Sequence, residues 1–565
     1  MPTSAPLAAS RVAPPPLISW ERGAPAPAGL SGLWSAGFIA NRRELLARLG
    51  APAAISDLEL AVALYQRCGS DAPRLVYGPF AWVLWDGDRR RLLAVRDRLG
   101  VHELCYHEAD GTLLLAGGIE PLLEVSRPEV NPRAVLAQLH GRAPAPGETF
   151  YLGISAVEPG GLLTVTRDRI ATEVYWRPGP RPLLRLRDDA AYAGAFRDLL
   201  LPIAGEYTPA GEVGVTLSGG LDSTTVAAAI REAAPATVCT AFSWIAPELP
   251  AADESAAIAA VCRRLGCRSV TIAGDQHWPL RGDPGIRPEP ATPLANSYAG
   301  LWEATFRSVR EHGVSVLFSG LSGDTLFGGE VFSYPDLVLT GRWLRLASEI
   351  RDQARHSELT ALQLVRWMAL APIANAYLPA RERRRSPSVP WLGERLRREA
   401  PAEPPRLSRR LLPGRRERLR QLRDPLLPFV AAQVTRQAAA YGIDFRHPLL
   451  DHRLFDFAAA LPTTQAFAAG KRKVILRHAM RGRLPDEVLD RRGKTYPEAI
   501  FRRGLRERER AKAWALMTGM RAAKMGFVDE RRLREAYGDY LAGRSRSARF
   551  WHTLSLEAWL RRCVP

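Results

Sequence analysis

The chain has 565 residues, 46% of them hydrophobic, which is ordinary for a globular protein and enough for two to four domains with their own cores. Its net charge of +19 comes almost wholly from arginine, since only five lysines occur (471, 473, 494, 512 and 524). No run of about 18 apolar residues is present, which argues against a membrane span, and the opening MPTSAPLAASRVAPPPLISW lacks the charged and apolar regions of a secretory signal.

The six cysteines, at 68, 105, 239, 262, 267 and 563, form no Cys-x-x-Cys pair, so neither a zinc site nor a disulfide framework is expected. A reducing cytoplasm is the simplest setting. Residues 1–30 are rich in Pro and Ala and read as a loose lead-in. From about 33 to 175 the pattern is short strands and tight turns, as in LVYGPFAWVLWDGDRRRLLAVRD, TLLLAGG and GGLLTVTRDRIATEVYW. Asp86-Gly87-Asp88 lies between two apolar runs and predicts a hairpin. RPGPRPLLRLRDD then reads as a linker. Beyond it, helices alternate with short apolar strands at Val213–Leu217, Thr237–Trp244, Ser269–Ala273 and Val314–Phe318. That alternation predicts a parallel sheet covered by helices, with ligands at the carboxyl ends of its strands. After 340 the chain reads as mostly helical, and no repeat is visible. The arginine-dense stretch 380–425 mixes in Glu and Pro without interleaved aromatics, so single-strand nucleic-acid stacking is not expected.

The string GVTLSGGLDSTTVAAAI, residues 214–230, joins a short apolar strand to an Ala-rich helix. Its glycines let main chain approach a ligand, and the N–H groups that open the helix lack intrahelical partners. Such a junction suits phosphate. Asp222 repels phosphate unless it holds a Mg²⁺ that bridges to it. Ser319-Gly320 also follows an apolar strand and belongs on the same rim.

With these motifs in order, the chain resembles the asparagine synthetase superfamily. The front half is similar to that family's glutaminase-type domain through SDLELAVALYQRCG (56–69), YGPFAWVLWDGDRRRLLAVRDRLGVHELCYH (77–107) and LLLAGGIEPLLE (113–124). The back half is similar to its ATP-dependent synthetase domain. The matching strings are LSGGLDST (217–224), FSGLSGDTLFGGE (318–330), YGIDFRHPLLDHRLFDF (441–457), GKRKVILRHAM (470–480) and LPDEVLDRRGKTYPEAIF (484–501). The resemblance implies an α+β, Ntn-type sandwich over 1–178 that is degenerate as a glutaminase. An α/β parallel-sheet PP-loop ATP pyrophosphatase domain with a helical C-terminal part would follow over 190–565.

Two departures shape the functional expectation. A working glutaminase domain of this family begins with a cysteine after Met, where this sequence has Pro at position 2. The glutamine-binding Asn-Gly-Glu string reads FIANRRELL (38–46) here and keeps only Asn41. In the back half, the family's Ser-Gly-Glu-Gly-x-Asp-Glu becomes Ser319-Gly320-Leu321-Ser322-Gly323-Asp324-Thr325. Leucine at 321 cannot orient ammonia, so the resemblance points to an amine already carried by the substrate. It implies the macrolactam synthetase branch of lasso peptide biosynthesis, with a precursor peptide as substrate and a leader-peptide protease as partner. β-Lactam or carbapenam synthetase is the alternative, followed by glutamine-independent amidation and, remotely, a tRNA-modifying PP-loop enzyme.

The roles implied are ATP and Mg²⁺ chemistry. Asp222 and Asp324 would hold metal. Leu217, Ser218, Gly219, Gly220, Ser223, Thr224 and Gly320 would cradle pyrophosphate, with Lys473 touching phosphate. Phe242 and Ser243 would line the adenine pocket. Lys494 would stabilise the transition states. Asp444 is a candidate general base, although an α-amino group with a pKa of about 7.7–8.0 needs little help. Asp451 is read as a cap or ion-pair partner, and His447 and His452 as local polar contacts. The helices after 340 would supply a mould for a folded peptide.

Overall fold

In a computed structural model, the described residues are 17–21, 28–282, 286, 288–328, 333–377, 389–399, 407–468, 470–491, 493 and 497–564. The front half forms strands β1 (Ile18–Glu21), β2 (Leu30–Gly37), β3 (Phe80–Asp86), β4 (Arg91–Arg96), β5 (Cys105–Ala109), β6 (Thr112–Ala116), β7 (Ile154–Ala156), β8 (Gly161–Val165) and β9 (Ile170–Val174). They make two antiparallel sheets, ordered β2-β3-β4-β8-β9 and β1-β6-β5-β7. The expected hairpin at Asp86-Gly87-Asp88 joins β3 to β4. Side chains alternate along β3. Val83 and Trp85 face the second sheet through Leu104, Leu113 and Leu115. Trp82 and Leu84 face helix α1 (Asp57–Cys68) through Leu60, Leu64 and Tyr65. Both faces of this sheet are therefore covered, which explains why all seven residues of β3 are buried.

The back half opens with helix α2 (Asp189–Tyr207) and continues as β10 (Glu212–Thr216), α3 (Leu221–Ala233), β11 (Val238–Ile245), α4 (Ser255–Leu265), β12 (Arg268–Ala273), α5 (Ala299–Glu311) and β13 (Val316–Phe318). Helices α6 (Trp343–Ala354) and α7 (Leu426–Ala439), strand β14 (Asp444–Arg446) and helix α8 (Val474–Ala479) follow. The sheet order is β12-β11-β10-β13-β14, every pair parallel. Val213, Val215, Cys239 and Ala241 pack under α2, α3, α4 and α8. Phe242, Leu317 and Phe445 pack under α5 and α7. A parallel sheet buried on both faces reads as short apolar runs, and this is the signal that located four of its five strands. The fifth, β14, has three residues and enters only after 125 intervening residues.

The two halves interlock. The Gln138 amide donates to the His552 and Pro293 carbonyls at 2.9 and 3.3 Å. The Tyr151 hydroxyl donates to the Pro290 carbonyl at 2.7 Å. Arg436 pairs with Glu103 of the front half and Glu289 of the back half. Among the described residues no helix is long and apolar enough to cross a membrane.

Candidate active site

The loops after β10 and β13 meet at the carboxyl rim of the parallel sheet. The first is held open by its own hydroxyls. The Ser218 N–H donates to Ser223 Oγ at 3.1 Å, the two serine hydroxyls lie 3.0 Å apart, and the Gly220 N–H donates to Ser218 Oγ at 3.2 Å. Leu217 is buried and contributes through its main chain, its N–H donating to the Phe242 carbonyl at 3.0 Å. The second loop presses against the start of α3. A Cβ at Gly320 would collide with the Ser223 N–H, and one at Gly323 would fall inside the Asp222 carboxylate. Glycine is needed at both positions because the chains touch there.

That contact brings Asp222 beside Asp324, and a lysine lies between them. Lys473 Nζ donates to both Asp222 oxygens at 2.8 and 2.7 Å and reaches Asp324 Oδ1 at 2.6 Å. Lys473 is buried, with φ of +56°, where the hairpin Phe467–Ala468/Lys471–Arg472 turns into α8. A left-handed non-glycine residue costs of order 1 kcal/mol or more and persists only where its surroundings enforce it. Two carboxylates converging on one ammonium form a hard-oxygen donor set, and the ammonium stands where a cation belongs. The residues therefore fit Mg²⁺, which Asp222 and Asp324 would hold.

Sequence reasoning missed Glu254, which precedes α4. Its carboxylate accepts the Gly219 N–H at 3.0 Å and Arg491 Nη1 at 2.9 Å, so an anion already sits on the loop where phosphate was expected. Only the sheet order places Glu254 there, because it follows a neighbouring strand and belongs to no motif. His447 is a local polar contact, as expected, and its partners are Ser319 and Thr435. Ser319 Oγ lies 2.7 Å from His447 Nδ1, and Thr435 Oγ1 lies 3.2 Å from Nε2. Burial holds the His447 imidazole down at about 3, so it is neutral at physiological pH. Ser319 Oγ also accepts the Leu321 N–H at 3.1 Å, which fixes the loop carrying Asp324.

Three expected contributors sit elsewhere. The Thr224 hydroxyl donates back to the Gly220 carbonyl at 2.8 Å and is fully buried, so it braces the loop and does not face a ligand. The Phe242 ring lies in the apolar layer with Phe306 and Leu317, on the sheet face away from α3. Asp444 stands at the amino end of the edge strand, opposite Val316, with Arg446 Nε and Nη2 at 2.8 and 2.6 Å. The structure does not bring it to the Asp222–Asp324–Lys473 cluster. Ser243, by contrast, is buried on the α3 side of β11, and its hydroxyl has no partner among the described residues. Asp451 caps the helix His452–Ala460 and pairs with Arg453 at 2.8 Å, as expected. Lys494 lies outside the described residues.

A family model described as asparagine synthase matches residues 208–561, and one described as a glutamine amidotransferase domain matches residues 33–176. The chain belongs to the asparagine synthase family. Asparagine synthetase [glutamine-hydrolyzing] 3 of Bacillus subtilis is 25% identical over 484 residues, covering 81% of this chain and 73% of that protein. A putative asparagine synthetase [glutamine-hydrolyzing] of Mycobacterium bovis is 24% identical over 547 residues, covering 92% and 82%. Amidase chyE of Penicillium rubens is 31% identical over 182 residues, but the match spans only 27% of that amidase. The asparagine synthetase relatives are ATP-dependent carbon–nitrogen ligases that form AMP and diphosphate. Within this family the Asp222–Asp324–Lys473 cluster falls on three strings that carried the resemblance, and Leu321 and Thr325 flank Asp324 where acids were expected.

Proposed function

We propose that this protein uses ATP to activate a side-chain carboxylate of a precursor peptide and closes a macrolactam with the peptide's N-terminal amine, as a lasso peptide cyclase does. The observation that carries the reading is Leu321. It stands one turn from Asp324, its N–H tied to Ser319, and it gives the amine side of the rim an apolar wall where ammonia would need a polar one. A peptide amine arrives already positioned by the rest of its chain. A leader-peptide protease supplies that free amine.

Oxide is a poor leaving group, so the carboxylate first attacks the α-phosphorus of ATP, and pyrophosphate departs. The amine then attacks the acyl-adenylate carbonyl, AMP leaves, and one proton is released. Bound Mg²⁺ supplies positive charge to the departing phosphates. Glu254 yields the Gly219 N–H to a phosphate oxygen, and Lys473 is placed to follow the charge as it moves. Ser243 offers its unpartnered hydroxyl to the nucleotide. Lys494 stands in the motif whose lysine steadies the charged transition states.

The test is mass spectrometry of a lasso precursor incubated with the protein, its leader protease and Mg·ATP, with AMP and pyrophosphate measured in the same tube. Loss of one water per AMP formed, abolished by Lys494→Ala, is expected. AMP without a cyclised peptide would move the reading to small-ring closure on a β-amino acid. No AMP with either substrate would sink the ligase reading.

A further inference from the structure

Among the described residues, thirteen large apolar side chains are well exposed, and seven of them lie between 339 and 377. Single exposed leucines are normal, but such a concentration beside an apolar groove marks a contact surface. Trp343, one of the seven, lines a groove of about 780 Å³. One wall is α6, whose Trp343, Leu346, Ala347, Ile350 and Ala354 recur at helical spacing on one face. The other wall, Ala361 and Val365, belongs to the helix Ala361–Leu364, which widens into a π-type turn over Val365–Leu370. Leu344, Leu362 and Trp367 flank the groove at 91%, 77% and 52% exposure.

Arginine dominates the charge at this groove. Arg351 and Arg355 line it, and the exposed Arg342 and Arg366 stand on the same helices. No acid lines it. Of the nearby acids, Glu349 and Asp352 face Arg345 and Arg355, and the exposed Glu358 stands in the connection between the two helices, which leaves arginine in excess. A second copy of a chain with net charge +19 would bring arginines against arginines. The chain's own segment 378–388, LPARERRRSPS, carries the same sign. An acidic partner with apolar anchors fits where these do not.

The groove also lies close to the reaction rim. Leu346 and Ile350 pack in one cluster with Tyr334 and Phe467, and the Phe467 hairpin delivers Lys473. We infer that this groove docks an acidic amphipathic segment of the polypeptide substrate, an inference that rests on the peptide-ligase reading. Apolar side chains of the segment fill the seam between the two helices while its carboxylates meet Arg351. Tethered beside the cluster that carries the Phe467 hairpin, the rest of the substrate acts at an effective concentration near millimolar. The groove therefore governs KM for the peptide and leaves kcat alone.

The experiment uses the full chain and two readouts. In the first, fluorescence anisotropy follows a labelled helical probe of about 18 residues with leucines on one face and glutamates on the other. A lysine-for-glutamate counterpart and a scrambled probe of the same composition serve as controls. The acidic probe should bind, both controls should bind at least about tenfold more weakly, and Leu362→Glu or Arg351→Glu should each weaken it about fivefold or more. Arg167→Glu, an exposed site on the front sheets, should change nothing. Equal binding of the scrambled probe, or an equal loss with Arg167→Glu, would overturn the groove. So would a dimer that Leu362→Glu dissolves, since the second copy would then be the occupant. In the second readout, the precursor's KM should rise in Leu362→Glu with kcat held. An unchanged KM overturns the groove and leaves the ligase standing. Specific probe binding with no peptide cyclised by the parent protein overturns the ligase reading and leaves the groove as a docking site.

Discussion

Asn41 in the front half and Lys473 in the back half are about equally buried, at 4% and 7% exposure, and they treat their polar atoms in opposite ways. Asn41 Oδ1 accepts the Tyr77 N–H at 2.9 Å, and its amide donates to the Leu75 carbonyl at 3.0 Å and to Glu44 at 3.1 Å. Each bond joins Asn41 to its own domain. Nearby, Arg96 is equally absorbed, donating to the carbonyls of Gly100, His102 and Val157. Lys473 instead draws together Asp222 and Asp324 from two separate loops. A fold can survive on packing and satisfied main chain. Chemistry needs like charges crowded together until a ligand separates them. The front half shows the first condition and the rim shows both.

The sharpest way to break this comparison is a pair of substitutions. Asp324→Asn should lower ATP-dependent AMP formation by roughly 10²–10³, the range seen when one charge-stabilising group is removed from a preorganised site, while the urea midpoint stays nearly fixed. Asn41→Ala should do the reverse. It leaves the Tyr77 N–H and the Leu75 carbonyl without their partner, at a cost of about 1–3 kcal/mol, with the AMP rate per folded molecule unchanged. A large fall in AMP rate for Asn41→Ala would show that the front half still takes part in the chemistry.

The contact between the halves gives the next effect. Arg436 joins Glu103 and Glu289, with Glu120 at 3.9 Å. Removing it leaves the partly buried Glu103 without its ion-pair partner and Glu289 with only the Gln433 and Gln437 amides, a loss of about 1–3 kcal/mol. Arg436→Leu should lower the urea midpoint accordingly, and adding Glu103→Gln should restore part of it. If Arg436→Leu alone were neutral, the front half would be a passenger and not a brace for the synthetase sheet.

How much of this was legible follows from the kind of signal each feature leaves. Buried parallel strands leave apolar runs, and the Asp86-Gly87-Asp88 turn leaves its own signature, so the β3–β4 hairpin and four strands of the back sheet could be read, while the two-layer front followed only from the family resemblance. Asp222, Asp324 and Lys473 each sit in an ordered motif, but nothing in their spacing says that one ammonium would span both carboxylates. That meeting depends on Gly320 and Gly323 letting two loops touch. Thr224 looked like a ligand because it follows the glycines, yet it lies one turn into α3, where a threonine hydroxyl can bond the preceding turn's carbonyl. Phe242 lies near the carboxyl end of its strand, but strand alternation turns its ring away from the rim. On β11 the odd positions Cys239, Ala241 and Ser243 share the α3 face, and Phe242 takes the other. Glu254 could not be seen at all, since its role exists only once β11 lies beside β10.

The smallest effect separates the two regions by pH. His447 links the Asp324 loop to α7 through Ser319 and Thr435, and burial holds it at about 3, below its ordinary 6.5, with His102 adding to the same shift. His452, beside Arg98 and the Asp451–Arg453 pair, is also held at about 3 by burial. In both cases the unfolded chain binds the proton first. Their contribution is therefore complete above pH 6.5 and declines as pH falls from 6.5 toward 3. By pH 5 each histidine should have cost about 2 kcal/mol. His447→Gln keeps a donor and an acceptor at the same place but has nothing to titrate. Its stability should fall less than the parent's between pH 7.5 and pH 5, by about one histidine's share, when urea midpoints are compared. At pH 7.5, where the parent imidazole is neutral, AMP formation should stay within a few-fold of the parent. Parallel decline of parent and variant would mean that His447 takes up its proton without unfolding the rim, and the loop carrying Asp324 would then be looser than its buried hydrogen bonds imply.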